Sequence, residues 1–63
     1  MNFEKNLKEL RIKANFTQEQ LAKKINISLR TYQGWEIAKS RPKYEILEKL
    51  KEILDCTYDD LLK

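Results

Sequence analysis

Residues 17–36 constrain the fold of this chain most, because they contain the start signals of two short helices in close succession. Thr17 stands three residues before Gln20, the capping-box spacing in which hydroxyl and amide satisfy each other's backbone donors. Ser28, just after the Asn26-Ile27 pair, can accept from the first free N–H groups of the next helix. The segment therefore predicts two capped helices joined by a turn of about three residues.

Apolar residues recur at helical spacing along the rest of the chain, which predicts three further helices. The expected helices span about residues 3–13, 18–25, 29–37 and 43–54, with a short fifth helix after Thr57. Asn2 is the expected cap of the first helix, and Pro42 is expected in the first turn of the fourth. Thr57 and Asp60 form a second capping box. No stretch shows the alternation of apolar and polar residues that is typical of a strand. The predicted fold class is therefore all-α, with five helices in one domain over residues 1–63.

The composition argues against a disulfide, a metal site and most kinds of catalysis. The chain has one cysteine and no histidine, which excludes an internal disulfide, a cysteine-rich metal site and the usual general base. Cys56 is predicted to be a small buried core residue rather than a reactive thiol. No cofactor, metal or small-molecule ligand is expected. The charged N-terminus and the lack of a long apolar run predict neither a signal peptide nor a membrane span, which favours the cytosol.

The charge is distributed unevenly. Residues 1–43 carry ten Lys/Arg against four Asp/Glu, a balance of +6, whereas residues 44–63 carry three against six, a balance of −3. A basic front and an acidic back would orient the molecule on a polyanion. Ordinary charge scatter on a solvated helical surface would also produce such a pattern, so charge alone does not identify a nucleic-acid partner.

Two amphipathic helices joined by a tight turn, here about residues 17–37, form a helix-turn-helix unit whose second helix can enter a DNA major groove. The motifs resemble those of the lambda-repressor-like family, the Cro and phage-repressor type of helix-turn-helix DNA-binding domain, over nearly the whole chain. The resemblance is carried by Leu10-Arg11, the run TQEQLAKKI from Thr17 to Ile25, Ser28, Trp35-Glu36, the segment from Lys39 to Pro42, and the closing Asp59-Asp60-Leu61-Leu62.

The chain departs from the family pattern at three links where glycine is usual, which here hold Asn15, Asn26 and Ala38. Asparagine adopts a left-handed backbone at small cost. Alanine would pay about 1 kcal/mol there, so we expect the third helix to end differently at Ala38.

On the third helix, Tyr32, Trp35 and partly Thr31 are expected to face the core. The remaining positions are then expected to face outward, namely Leu29, Arg30, Gln33, Gly34 and Ile37. Base reading is predicted for four of these, Leu29, Arg30, Gln33 and Gly34. Arg can donate twice to guanine, and Gln can pair with adenine. A solvated surface or a phosphate contact remains the alternative for both.

Two outward residues are ambiguous. Leu29 would suit a thymine methyl group or a dimer contact. Gly34 stands where the family often has a polar base contact, which indicates either a closer approach to the groove or the loss of one readout.

Phosphate contacts are predicted for a second set of residues, Gln18, Thr31, Lys39, Arg41 and Lys43. Gln18 opens a helix, where free N–H groups favour an anion, and the cations follow the third helix. A charged solvated loop is the alternative for the cations. The resemblance further implies that Arg11 and Glu36 form a partly buried structural ion pair, with Arg11 also near a phosphate.

The resemblance implies a sequence-specific binder of double-stranded DNA that regulates transcription, like a small phage or mobile-element repressor or Cro. The expected partners are a palindromic operator and a second copy in a weak homodimer that forms or strengthens on DNA. The protein is expected to be cytoplasmic and associated with the nucleoid, and to be encoded by a bacterium or a phage. A protein-interaction module on the same fold, such as an antitoxin or adaptor, is the alternative. An enzyme is not expected, because the sequence has no histidine, no glycine-rich loop and no convergent nucleophile and base. The chain would be either a complete minimal regulator or the front of a larger one.

Overall fold

The computed structural model describes residues 2–63, and within that range every regular element is a helix. The elements are α1 (Phe3–Lys13), α2 (Gln18–Lys24), α3 (Leu29–Glu36), α4 (Tyr44–Leu54) and α5 (Tyr58–Leu62). The predicted all-α fold class is confirmed. None of these helices combines the length and the apolar character that crossing a membrane requires.

The helix starts follow the predicted capping chemistry with two exceptions. Complete capping boxes open α2 at Thr17 and α5 at Thr57, and the Ser28 hydroxyl accepts from the Thr31 backbone N–H to open α3. Asn2 occupies the cap position of α1, but its side chain makes no capping hydrogen bond, so that prediction is wrong in its mechanism. Pro42 lies before α4 rather than in its first turn, because the extended Lys43 backbone is the cap.

The first four helices end in the same way, each with one residue in the left-handed conformation. These residues are Asn15, Asn26, Ala38 and Asp55, with φ between 52° and 65°. The N–H of the following residue then donates back to a carbonyl five positions earlier, as in Lys39 to Gly34 at 2.9 Å, which is the Schellman pattern. The expectation that α3 avoids this ending at Ala38 is wrong. The backbone carbonyls of Gly34 and Trp35 accept hydrogen bonds there, and these bonds offset the strain of the left-handed alanine.

The core forms where α1, α2, α3 and α5 meet and is completed by α4. Its buried members are Phe3, Leu7, Leu21, Ala22, Ile25, Tyr32, Trp35, Leu50, Leu54 and Leu61. Cys56 is half-buried against the edge of this cluster rather than enclosed by it. Tyr44, which the α4 periodicity places on the apolar side, is 66% exposed and stacks instead on Tyr58.

Candidate nucleic-acid interface

The outward face of α3 carries Arg30 and Gln33, one turn apart and both exposed. Leu29 and Ile37 lie at the two ends of the same face, with 37% and 71% of their surfaces exposed. The opposite face is held in place because Tyr32 and Trp35 are buried and pack edge to face, with ring centroids 5.8 Å apart.

Thr31 is exposed as well, and its hydroxyl bonds to Ser28. The expectation that Thr31 partly faces the core is therefore wrong. Its place beside the helix start keeps it on the solvent side of α3.

Gly34 is a second α3 residue whose predicted orientation is wrong. The residue is buried, because the chain after α3 turns back over it. Backbone N–H groups of Lys39 and Ser40 both donate to the Gly34 carbonyl. A Cβ at this position would lie 3.3 Å from the Ser40 hydroxyl oxygen. Gly34 therefore lies beneath the α3–α4 loop rather than on the outward face of α3.

Behind the exposed face lies the ion pair that the resemblance implies. Arg11 Nε donates to Glu36 Oε2 at 2.7 Å, and the Glu36 side chain is only 3% exposed. Arg11 Nη1 also donates to the Phe16 carbonyl at 2.8 Å. The Tyr32 hydroxyl donates to the same Glu36 oxygen. The end of α3 is thus attached to α1 and to the α1–α2 link.

The same contacts determine the protonation of these groups. Burial by itself would raise the pKa of Glu36, but hydrogen bonds from Arg11, Tyr32 and Gln18 outweigh it and lower that pKa below its ordinary value. Burial, followed by the hydrogen bond to Glu36, raises the pKa of Tyr32. The hydrogen bond to Glu36 raises the pKa of Arg11 in turn. Glu36 is therefore a carboxylate at neutral pH, and it can only accept hydrogen bonds.

Gln18 connects this buried cluster to the exposed face, a link that the sequence reasoning missed. Its side-chain Nε2 donates to Glu36 Oε1 at 2.9 Å, and its Oε1 accepts from Gln33 Nε2 at 3.3 Å. The position of Gln18 at the start of α2 predicted a contact with a DNA phosphate instead. No local signal indicates partners 15 and 18 residues away.

A row of cations continues the surface beyond α3. Lys39, Arg41 and Lys43 are all exposed in the α3–α4 loop. The Arg41 guanidinium lies 5.1 Å from the centre of the Phe3 ring, so the start of α1 holds that side chain by a cation–π contact. The two partners lie thirty-eight positions apart in the sequence, so no local pattern predicts their contact.

The chain is similar to known proteins over nearly its whole length. A family model described as Helix-turn-helix matches residues 7–61. The chain is 37% identical over 62 residues to the HTH-type transcriptional activator BcrR of Enterococcus faecalis, covering 98% of this chain and 30% of the relative. It is 36% identical over 61 residues to the uncharacterized HTH-type transcriptional regulator YqaE of Bacillus subtilis, covering 97% and 53%.

A third relative is the HTH-type transcriptional regulator AnsR of Bacillus subtilis, with 39% identity over 62 residues, covering 98% of this chain and 53% of the relative. The chain thus spans about half or less of the length of these relatives. No solved structure matches it. Since the family match extends over most of α1 and through α2 to α5, the chain belongs to the helix-turn-helix family, of the Cro and phage-repressor type that its motifs resemble.

Proposed function

We propose that this chain is a sequence-specific double-stranded DNA-binding domain of a transcriptional regulator, with α3 as the helix that enters the major groove. The observation that carries the proposal is the exposure of Arg30 and Gln33 on one face of α3, beside the cationic α3–α4 loop. A helix of this kind positions a few side chains at base edges while its flanks meet the backbone. The relatives named as transcriptional regulators support the same reading.

Sequence reading would depend on three side chains of α3. Arg30 can donate two parallel hydrogen bonds to guanine O6 and N7, and Gln33 can pair with the N6 and N7 atoms of adenine. Leu29, exposed at the start of the helix, suits the methyl group of thymine. Each good bidentate pair discriminates against other bases by about 1–3 kcal/mol.

Affinity would come mainly from the backbone contacts. The proposed phosphate set comprises Gln18, Thr31, Lys39, Arg41 and Lys43. Cations that neutralise phosphates release counterions, so affinity falls steeply as salt rises. Such contacts hold the protein in register without carrying sequence information.

We further propose that two copies bind a palindromic operator, with half-sites about one helical turn apart. The acidic α4–α5 end would join them weakly, with the half-buried Tyr58 and Leu62 as contact residues. Such a protein would act in a bacterial cytoplasm at the nucleoid, as a phage or mobile-element regulator of the Cro type. DNA would strengthen the dimer, because both copies are held on one duplex.

The second candidate function is a protein-interaction module, such as an antitoxin or adaptor on the same fold. The observation in its favour is the exposure of large apolar side chains, above all Ile37 and Tyr44. Against it, the centre of the α3 face carries Arg30 and Gln33, whereas the core of a protein interface is depleted of charge. DNA binding is therefore the better account of this face.

Selection from a random duplex library tests the proposal directly. We expect one preferred sequence, bound far more tightly than a scrambled duplex at physiological salt. Arg30→Lys is the matched variant, because it keeps the charge and removes the two-pronged donor. It should retain most of the affinity for scrambled DNA while losing the preference at one G·C pair. Equal affinity of the unaltered protein for preferred and scrambled duplexes would overturn the proposal.

A further inference from the structure

A chain of side-chain hydrogen bonds runs from the buried ion pair to the outward face of α3. It starts at Glu36 Oε1, passes through the amide of Gln18 at 2.9 Å, and reaches the amide of Gln33 at 3.3 Å. Its inner end is rigid, because Arg11 and Tyr32 also donate to the buried Glu36 carboxylate. Its outer end is exposed to solvent.

The chemistry of the groups gives this chain one direction. A carboxylate accepts hydrogen bonds and cannot donate them, so Gln18 must turn its nitrogen toward Glu36. The oxygen of the Gln18 amide is thereby turned toward Gln33, and it too only accepts. Gln33 must therefore direct its own nitrogen toward Gln18. This hydrogen bond fixes the positions of the oxygen and the nitrogen of the Gln33 amide.

The remaining edge of the Gln33 amide consists of its oxygen and its second N–H. In the major groove, adenine offers a donor at N6 beside an acceptor at N7. An amide held in one orientation matches that pair, whereas a free amide can present its oxygen and nitrogen in either order. Orientation of the amide thus contributes directly to discrimination between bases.

We propose that Gln18 is a positioning residue that transmits the orientation of the buried Glu36 carboxylate to Gln33 and so makes Gln33 selective for adenine. The inference rests on the proposed DNA-binding function and adds the base class that Gln33 reads and the residue that imposes it. Gln18 keeps one further amide N–H that can meet a phosphate. That contact would affect all duplex sequences alike.

A first measurement needs no DNA. Side-chain amide signals of the intact protein are followed by nuclear magnetic resonance in Gln18→Met, which keeps the length of the side chain and removes its amide. We expect the two Gln33 amide protons to shift toward the values of a free glutamine. Gln20→Met is the matched control, because it makes the same replacement two residues away and leaves the Gln33 signals in place. Unchanged Gln33 signals in Gln18→Met would overturn the inference.

A second measurement uses the preferred duplex selected from the random library and its single-base variants. Gln33→Ala identifies the A·T pair that Gln33 reads, as the pair at which discrimination is lost. Gln18→Met should reduce discrimination at that pair by about fivefold or more, since a bidentate pair contributes at least this much. Discrimination at the pair read by Arg30 should stay the same. A general loss of stability would not reduce discrimination at one base pair and leave it unchanged at the other.

The outcomes separate the two proposals. Absence of any preferred duplex overturns the proposed function and this inference together. A preferred duplex whose discrimination is insensitive to Gln33→Ala, or at which Gln18→Met weakens all sequences equally, overturns the inference alone. Gln20→Met should lower stability by removing the side-chain half of the capping box, yet it should leave discrimination at the Gln33 pair intact.

Discussion

Arg11 donates to both carboxylate oxygens of Glu36, from Nε at 2.7 Å and from Nη2 at 3.3 Å. The pair joins α1 to the last residue of α3, twenty-five positions later. Because the carboxylate is almost completely enclosed, the removal of one partner leaves a charge that water cannot solvate. The orientation of α3 on the domain therefore depends on this contact.

The first prediction concerns that contact. Glu36→Ala should lower the free energy of unfolding by about 3–5 kcal/mol, the usual cost of leaving a buried charge unpaired. Glu45→Ala, at an exposed position in the first turn of α4, should cost less than about 1 kcal/mol. Chemical denaturation of both variants measures the difference, and a Glu36→Ala protein that is already unfolded counts as the larger loss. Equal melting temperatures would contradict the prediction.

The second prediction is a loss of stability in acid. The pKa of Glu36 is lower in the fold than its ordinary value of 4.5, so the folded state binds this proton less readily than the unfolded state. Its contribution to stability is therefore present above pH 4.5 and is lost as the pH falls through the lower, folded pKa. Titration of the Glu36 carboxyl carbon by nuclear magnetic resonance checks the direction. A midpoint above 4.5 in the folded protein would contradict it.

The third prediction concerns the left-handed end of α3. Ala38 has φ 62°, so Ala38→Gly should raise the free energy of unfolding by about 1 kcal/mol by relieving strain at Cβ. Asn26→Gly should have a smaller effect, because asparagine tolerates φ 63°. At Ala14, where φ is −84°, the same change to glycine should be destabilising. The order of the three melting temperatures tests the argument, and a gain no larger at Ala38 than at Asn26 speaks against it.

The fourth prediction concerns Gly34 within α3. Its φ is not positive, so alanine fits the helix and should contribute about 0.8–1.0 kcal/mol of helix propensity. The added Cβ would lie 3.3 Å from the Ser40 hydroxyl oxygen and 4.0 Å from Lys39 Cβ, which is an ordinary contact. The exposed Ser40 side chain can rotate away. Gly34→Ala should therefore raise the melting temperature. A loss of stability that Ser40→Ala does not relieve would show that the loop backbone, rather than the hydroxyl, opposes the methyl group.

The fifth prediction separates backbone contacts from surface charge in general. Lys39→Ala should weaken binding to all duplexes about equally and should reduce the slope of log affinity against log salt by about 1. Lys49→Ala removes an equal charge from an exposed position on α4, in the acidic half of the chain, and should leave that slope almost unchanged. Binding measured over a series of salt concentrations gives both slopes. Similar changes in the two variants would mean that net charge alone governs affinity.

Local features of the sequence were sufficient for the five helices and for most of their ends. The capping boxes at Thr17 and Thr57 and the turn residues Asn15 and Asn26 were all predicted correctly. A cap or a turn depends on hydrogen bonds among residues only a few positions apart. The same few positions in the sequence therefore contain the whole of the interaction.

Helical periodicity placed Tyr32 and Trp35 correctly in the core, and it failed where packing rather than period decides exposure. Tyr44 has the right phase for the apolar side of α4 but is exposed at the first turn of the helix. Gly34 has the phase of an outward position but is buried under the α3–α4 loop. Periodicity assigns a residue to a face, whereas burial depends on which element covers that face.

The sequence by itself thus determined five helices, the caps at Thr17, Ser28 and Thr57, and the outward phase of Arg30 and Gln33 on α3. These features follow from the period of a helix and from near neighbours. Only the tertiary structure decided that Gln18 joins Glu36 to Gln33 and that Phe3 holds Arg41. Those partners lie 15 to 38 positions apart, and their contact exists only once the helices have packed. The orientation of the side chains at the surface is therefore a property of the packed domain, and the helix positions alone do not contain it.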